Sequence, residues 1–216
     1  MTFYQKLERK FGKYAIPDLM KYVCVIYVVG YIIMMFNPYY YDYWLALDPD
    51  KILHGQIWRI ITFLFFPPSY QPIWMVIAVF VYYSLGTTLE RMWGTVKYNF
   101  FYFSGVLLLV VASLLFYIVT GVSMRLYPTY MTFSIFLAYA LTFPDSVFYL
   151  YFFIPIKAQW LAIAEVVLYL YMFISAPFLS STQVEIAVSL LNVALFFFLT
   201  NQKQKKSNVF HINDFR

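Results

Sequence analysis

Along this chain, long apolar runs alternate with short polar stretches, and the length of each run decides what it can be. Six runs qualify as helices across a membrane: residues 21–36, 72–87, 97–120, 129–143, 160–176 and 184–200. Crossing the hydrocarbon takes about 20 mostly apolar residues, and several of these runs sit near the short limit. The pattern therefore predicts an all-α membrane protein, a bundle of six transmembrane helices. A seventh apolar segment, "QIWRIITFLFFPPS", ends in Pro67-Pro68 and is too short to cross and return. It predicts the tail of a long first loop and an irregular approach to the second crossing.

Composition agrees with that reading. Of the 216 residues 63% are hydrophobic and 12% charged, with a mean hydropathy of +0.70, whereas a soluble domain is nearer half apolar and a quarter charged. A single aqueous core of this size cannot hide so much apolar surface. The segment "MTFYQKLERKFGKY" precedes the first run without a small-residue cleavage site, so a secretory signal is not expected. Cys24 stands alone, which excludes an internal disulfide and a thiolate metal site. The net charge of +5 does not point to nucleic acid, because the basic residues flank the apolar runs. With both termini cytoplasmic, twelve lysines and arginines fall on the inner side and three (Lys51, Arg59 and Arg125) on the outer. That bias is the one membrane topology produces. The expected organisation is one domain, 1–216, with a cytoplasmic segment at 1–20 and a basic cytoplasmic tail at 201–216 whose lysines contact anionic lipid. No metal or cofactor is expected.

Several polar positions interrupt the apolar pattern. The first outer loop, "NPYYYDYWLALDPDKILHGQIW", is rich in Tyr and Trp. Such rings suit either a belt at the headgroups or a structured loop dipping into the outer leaflet. Arg59 reads as an anchor on carbonyls or lipid phosphate, or as a snorkelling side chain. Glu90 is expected to tie loops together by hydrogen bonds. Glu165 lies inside the fifth run, where a carboxylate is expensive and usually functional or paired. Asn192 of the sixth run falls at a similar depth, which suggests a Glu165–Asn192 hydrogen bond, or else a polar lining for a client helix or a water pocket. Thr132 and Ser134, in "YPTYMTFSIFLAYALTFPD", are either nucleophile candidates or hydroxyls bonded to carbonyls one turn back.

Three segments carry a family resemblance. "GQIWRIITFLFF", with Trp58 and Arg59, resembles the Trp-Arg motif that closes the first loop of the rhomboid superfamily. "LGTTLERMWGTVKYNFFYFSG", with Glu90 and Gly94, looks like that family's junction between the second and third spans, and "FFIPIKAQWLA" is similar to the approach to the fifth span in bacterial members. The resemblance implies a rhomboid-like bundle with a structured interfacial first outer loop. Active rhomboids are intramembrane serine peptidases, with the nucleophile in Gly-x-Ser-Gly on span four and a His base on span six. A serine hydroxyl needs such a base within hydrogen-bond reach.

Here the family's nucleophile falls at Thr132, or at Ser134 in a shifted register, without flanking glycines, and its His position holds Val188. The only histidines, His54 and His211, lie outside the runs. The resemblance thus implies a catalytically inactive, derlin-like, bacterial-type member in a bacterial plasma membrane. Its partners would be lipid and transmembrane client proteins in quality control, and the short spans would locally thin the bilayer. The alternative is an active intramembrane serine protease with an atypical site. Tyr130, Phe133, Phe136, Leu191 and Leu195 are expected to keep spans four and six too far apart for catalysis.

Overall fold

The computed structural model describes residues 8–150, 154–178 and 180–213. Outside it lie residues 1–7 and 214–216, the ends of the two expected cytoplasmic segments, and Phe152-Phe153 of the motif before the fifth run. The helices are α1 (Leu19–Phe36), two short pieces α2 (Pro49–Leu53) and α3 (Arg59–Thr62), then α4 (Pro72–Trp93), α5 (Thr95–Thr120), α6 (Thr129–Thr142), α7 (Ala158–Ser175) and α8 (Ser181–Asn213). Five are long and apolar enough to cross a membrane: α1, α4, α5, α7 and residues Ser181–Leu199 of α8. The fourth apolar run makes a helix of only 14 residues, α6.

Why α6 tolerates its length follows from its place. It packs against α4, α7 and α8, and half its residues are buried, among them Met131, Ile135, Leu137, Ala138 and Ala140. Neighbouring helices cover much of it, while Phe133 and Leu141 are exposed. Proline and glycine mark several ends of the other helices. Pro38 follows the last turn of α1, and Pro72 opens α4 at a position where its missing N–H costs nothing. Gly94 alone separates α4 from α5, with φ of +87°, a backbone conformation that L side chains rarely adopt.

Successive long helices alternate in direction. One end of the bundle gathers residues 37–71, 121–128 and 176–180 (the loop end), and the other gathers the N-terminal segment, Gly94 and a β-hairpin (the hairpin end). The hairpin is unexpected from the sequence. β1 (Val147–Leu150) pairs antiparallel with β2 (Ile154–Lys157), Val147 opposite Lys157. Its β-branched and aromatic residues favour a pleated surface, and Phe148 lays its ring against Phe136 and Tyr139 of α6. At the same end Trp93 stacks among Phe101 of α5 and Phe196 of α8, at 5.6 and 4.4 Å between centroids.

The first loop is a built element. After the π-helical turn Tyr41–Leu45 come α2, α3 and a 3-10 turn, Phe63–Phe65, that lies beside α1. A Cβ on Gly30 would coincide with the carbonyl of Phe65. Gly30 is six residues from the end of α1, so the turn reaches about 9 Å along that helix at its usual rise. The aromatic side chains of this loop divide between exposed and buried positions. Tyr39, Tyr43 and Trp44 are exposed, while Tyr41 is fully buried against Phe66 and Tyr127.

Candidate functional site

At the loop end, one arginine organises the cap. Arg59 has no exposed surface. Its Nη1 donates to the Ala46 carbonyl at 2.7 Å, its Nη2 to the Tyr43 carbonyl, and its Nε to Gln56 Oε1 at 2.7 Å. A planar guanidinium delivers several donors in fixed directions, which suits a turn whose carbonyls have no helical partner. Burial, with Arg125 nearby, lowers its pKa, and Asp48 opposes that shift. The anchoring expected of Arg59 is made on carbonyls, and the snorkelling alternative is excluded by its burial. Trp58 stays half exposed and donates from Nε1 to the Trp44 carbonyl at 3.1 Å.

The cap is then stitched to the loop before α6. Leu126 N donates to the Leu47 carbonyl at 3.2 Å, the Ser123 hydroxyl to Asp48 at 2.6 Å, and the Tyr117 hydroxyl to Asp50 at 2.7 Å. Tyr127 donates from its hydroxyl to Asp42 at 2.9 Å and from its backbone N–H to Glu185 Oε1 at 2.9 Å. Burial and the Asp42 bond hold the Tyr127 hydroxyl well above its ordinary pKa, so it remains a donor.

Beneath the cap α6 packs against α8. The Thr132 hydroxyl donates to the Pro128 carbonyl at 2.9 Å and sits 3.0 Å from the Tyr27 hydroxyl. A hydroxyl carries one proton, so with Thr132 donating to Pro128 it is Tyr27 that donates to Thr132. The Ser134 hydroxyl donates to the Met131 carbonyl at 2.5 Å. Both candidates thus bond back along their own helix. Val188 is buried in the apolar core, and His54 is exposed in the first loop.

Of the five bulky residues expected between these helices, Phe136 packs against the core and Tyr130 is partly buried, while the other three are turned away. Phe133, Leu191 and Leu195 are exposed, and α6 and α8 approach closely enough for the Ser189 hydroxyl to donate to the Tyr130 backbone carbonyl at 2.6 Å.

Asn192 and Glu165 are not brought together, which corrects the pairing suggested by their depth. Asn192 Nδ2 donates to the Phe101 carbonyl at 3.2 Å, and its Oδ1 accepts from Ser104 at 2.8 Å. Both partners are on α5, where a Cβ on Gly105 would come 2.9 Å from Asn192 Nδ2. Depth measured from the sequence does not fix which face of a helix a residue occupies, and Asn192 faces α5. Glu165 accepts from Tyr169, one turn along α7, at 3.1 Å.

Glu185, Ser189 and Asn192 form one buried stripe on α8, bonded respectively to the loop before α6, to α6 and to α5. Glu185 and Ser189 were not singled out from sequence. Their spacing of i, i+4 and i+7 with Asn192 was the available signal.

At the hairpin end, Glu90 accepts from the backbone N–H groups of Asp18 and Leu19 at 3.0 and 3.2 Å. It caps the unpaired first turn of α1 from another helix. Asn99 does the same for the chain before it, bonding both N–H and carbonyl of Ile16 at 2.9 Å. Glu90 and Gly94 therefore serve the α1–α4–α5 corner, far in sequence from the polar stripe of α8. Among the described residues no group of three or more His, Cys, Asp or Glu could hold a metal ion.

Comparison with known families gives one match. The model of the family described as "Eukaryotic integral membrane protein (DUF1751)" covers residues 21–215. No curated protein and no solved structure matches the chain. The family is eukaryotic, so neither the bacterial-type assignment nor a bacterial plasma membrane is supported.

Proposed function

The chain belongs to this eukaryotic family of integral membrane proteins, and from that premise we propose that it is a non-catalytic, rhomboid-like scaffold that engages transmembrane client proteins. In this reading the bundle crosses the membrane six times with both termini cytoplasmic. The alternation of helix directions and the twelve-to-three distribution of basic residues support that topology. Short α6 then counts as the fourth crossing, shielded by its neighbours.

One observation carries the reading: the hydroxyls at the two nucleophile positions are already donors to carbonyls of their own helix, 2.9 and 2.5 Å away. A nucleophile needs a base to take its proton, and the proton of Thr132 or Ser134 points to a carbonyl instead. The rest of the scaffold is retained in support of binding. Arg59 holds the cap, Glu90 fixes α1, and α7 packs on α6 and α8 without a comparable contact to α4. In this reading a client approaches between α4 and α7, with α6 behind. Local thinning of the bilayer has less support, because the long helices have 18 residues or more and neighbouring helices cover much of the short one.

Two measurements test this reading. Photo-crosslinking in cells from the lipid-facing side of α4, at Phe80, is expected to give discrete adducts with membrane proteins. Adducts with lipid alone would count against it. Labelling with a serine-reactive fluorophosphonate is expected to fail, and a signal abolished by Ser134→Ala would establish the protease instead.

A further inference from the structure

The segment before α1 folds back on the bundle. Gly12 packs on the start of α5, where a Cβ would come 4.0 Å from the Val96 side chain. Ile16 bonds to Asn99 through both its N–H and its carbonyl, and Glu90 accepts from Asp18 and Leu19. Beside this fixed segment lies a groove of about 510 Å³, within the size range of ligand sites. Phe11 and Tyr14 form one wall, Val96, Phe103 and Leu107 of α5 another, and Leu195 of α8 stands on the far side. The polar side chains in the walls are spent. Asn99 bonds to Ile16 and to the Thr95 carbonyl, and Ser104 donates to Asn192. Along its length the groove therefore suits an apolar group. The charge gathers at one end. Residues 9–16 carry Arg9, Lys10 and Lys13 and no acid. The Lys10 ammonium sits 5.6 Å from the centre of the Phe11 ring, and Lys13 is exposed beside Tyr14. From Val96 to Leu108 the groove follows α5 for about 18 Å at the usual helical rise. That is close to the depth of one leaflet, about 15 Å or half the hydrocarbon.

We propose that this groove binds one anionic phospholipid, with its phosphate at Lys10 and Lys13 and one acyl chain laid along α5. Shape and charge together select this occupant. A transmembrane helix is too broad, since with its side chains it measures about 10–12 Å across and the same length of it needs roughly three times the space. A soluble anion matches the lysines but leaves the apolar walls unfilled. A zwitterionic lipid fills the walls but brings a cation of its own to the basic end. An anionic lipid satisfies both, and each lysine near a membrane surface adds to its attraction. In the proposed topology this end is cytoplasmic, the leaflet in which anionic lipid concentrates. The bound chain covers Phe11 and Tyr14, which are otherwise exposed, and so ties the N-terminal segment to α5 and α8. The site stands independently of client binding.

Native mass spectrometry of the full chain, released from detergent micelles, tests the site. Phosphatidylserine and phosphatidylcholine with identical acyl chains are offered in equal amounts. The expected result is one phosphatidylserine retained per chain, about tenfold over phosphatidylcholine, the order that two lysines beside a headgroup supply. K10Q/K13Q lowers retention of phosphatidylserine by about tenfold. K51Q/R125Q, which removes the same charge at the loop end, leaves it unchanged. L107W narrows the groove and lowers retention with both lysines intact. Far-UV circular dichroism and melting temperature verify that each variant folds. Equal retention of the two lipids by the wild type overturns the proposal. So does an equal loss in K10Q/K13Q and K51Q/R125Q, which marks an effect of net charge alone. Unchanged retention in L107W reduces the binding to a surface contact and overturns the groove. A dimer of the chain that L107W removes assigns the groove to a second copy instead.

Discussion

Arg59 shows how one side chain governs a loop. Its neighbours Trp58, Ile57 and Ile61 are exposed, yet Arg59 is sealed beneath them. A lysine there keeps the charge but supplies a single ammonium in place of the planar fork. Arg59→Lys is therefore expected to lose at least one of the bonds to Ala46 and Tyr43 and to cost about 1.5–3 kcal/mol, the range for hydrogen bonds to charged groups. Thermal unfolding in detergent would register a lower midpoint. Limited proteolysis would find the first cuts between residues 43 and 59. Gly30 acts at the same scale from the opposite partner, because the carbonyl of Phe65 occupies the space where any Cβ would lie.

Among the elements, α8 is the one that holds the others. Its inward face presents Glu185, Ser189 and Asn192 to three different segments, while Ile186, Val193 and Phe196 fill the apolar spaces between. Without a hydrophobic force between helices in lipid, packing and such bonds supply the association. Asn192→Leu removes the bonds to Ser104 and Phe101 and places a branched side chain against Gly105. An expected loss of about 1–2 kcal/mol follows, read as lower resistance to unfolding by SDS. Released from Asn192, the Ser104 hydroxyl can donate its one proton to the Phe101 carbonyl 2.9 Å away, which limits the damage. Helix α1 depends on its neighbours in another way, since Glu90 of α4 rather than a local residue caps its first turn.

For the molecule as a whole, the strongest expectation concerns the double substitution T132S/V188H. It restores both residue types of the rhomboid dyad, yet it is expected to yield no cleavage of a model transmembrane substrate. The reason is the hydrogen-bond arrangement. The hydroxyl at position 132 keeps Tyr27 as donor and the Pro128 carbonyl as acceptor, and the backbone N–H there also bonds to Pro128 at 2.9 Å. At position 132, then, neither the hydroxyl nor the backbone N–H is free to serve as nucleophile or oxyanion donor. A gel assay of the substrate reads the outcome, and cleavage lost again on reverting either site would contradict it.

The sequence by itself determined the membrane character, the positions of the apolar helices and the identity of the loop anchors Arg59 and Glu90. Run length and charge follow from the cost of moving residues into hydrocarbon, and that cost is local to the segment. The same locality made the back-bonding of Thr132 and Ser134 legible, because their acceptors lie three or four residues away. The β-hairpin at 147–157 was missed because its short strands are bordered by apolar helices and carry no turn signal of their own. Only the tertiary structure decided that Asn192 meets Ser104 and not Glu165, and that Tyr27 reaches Thr132 across 105 residues of chain. Depth along a helix is written in the sequence, whereas the rotation of each helix toward its neighbours is set when all of them pack together.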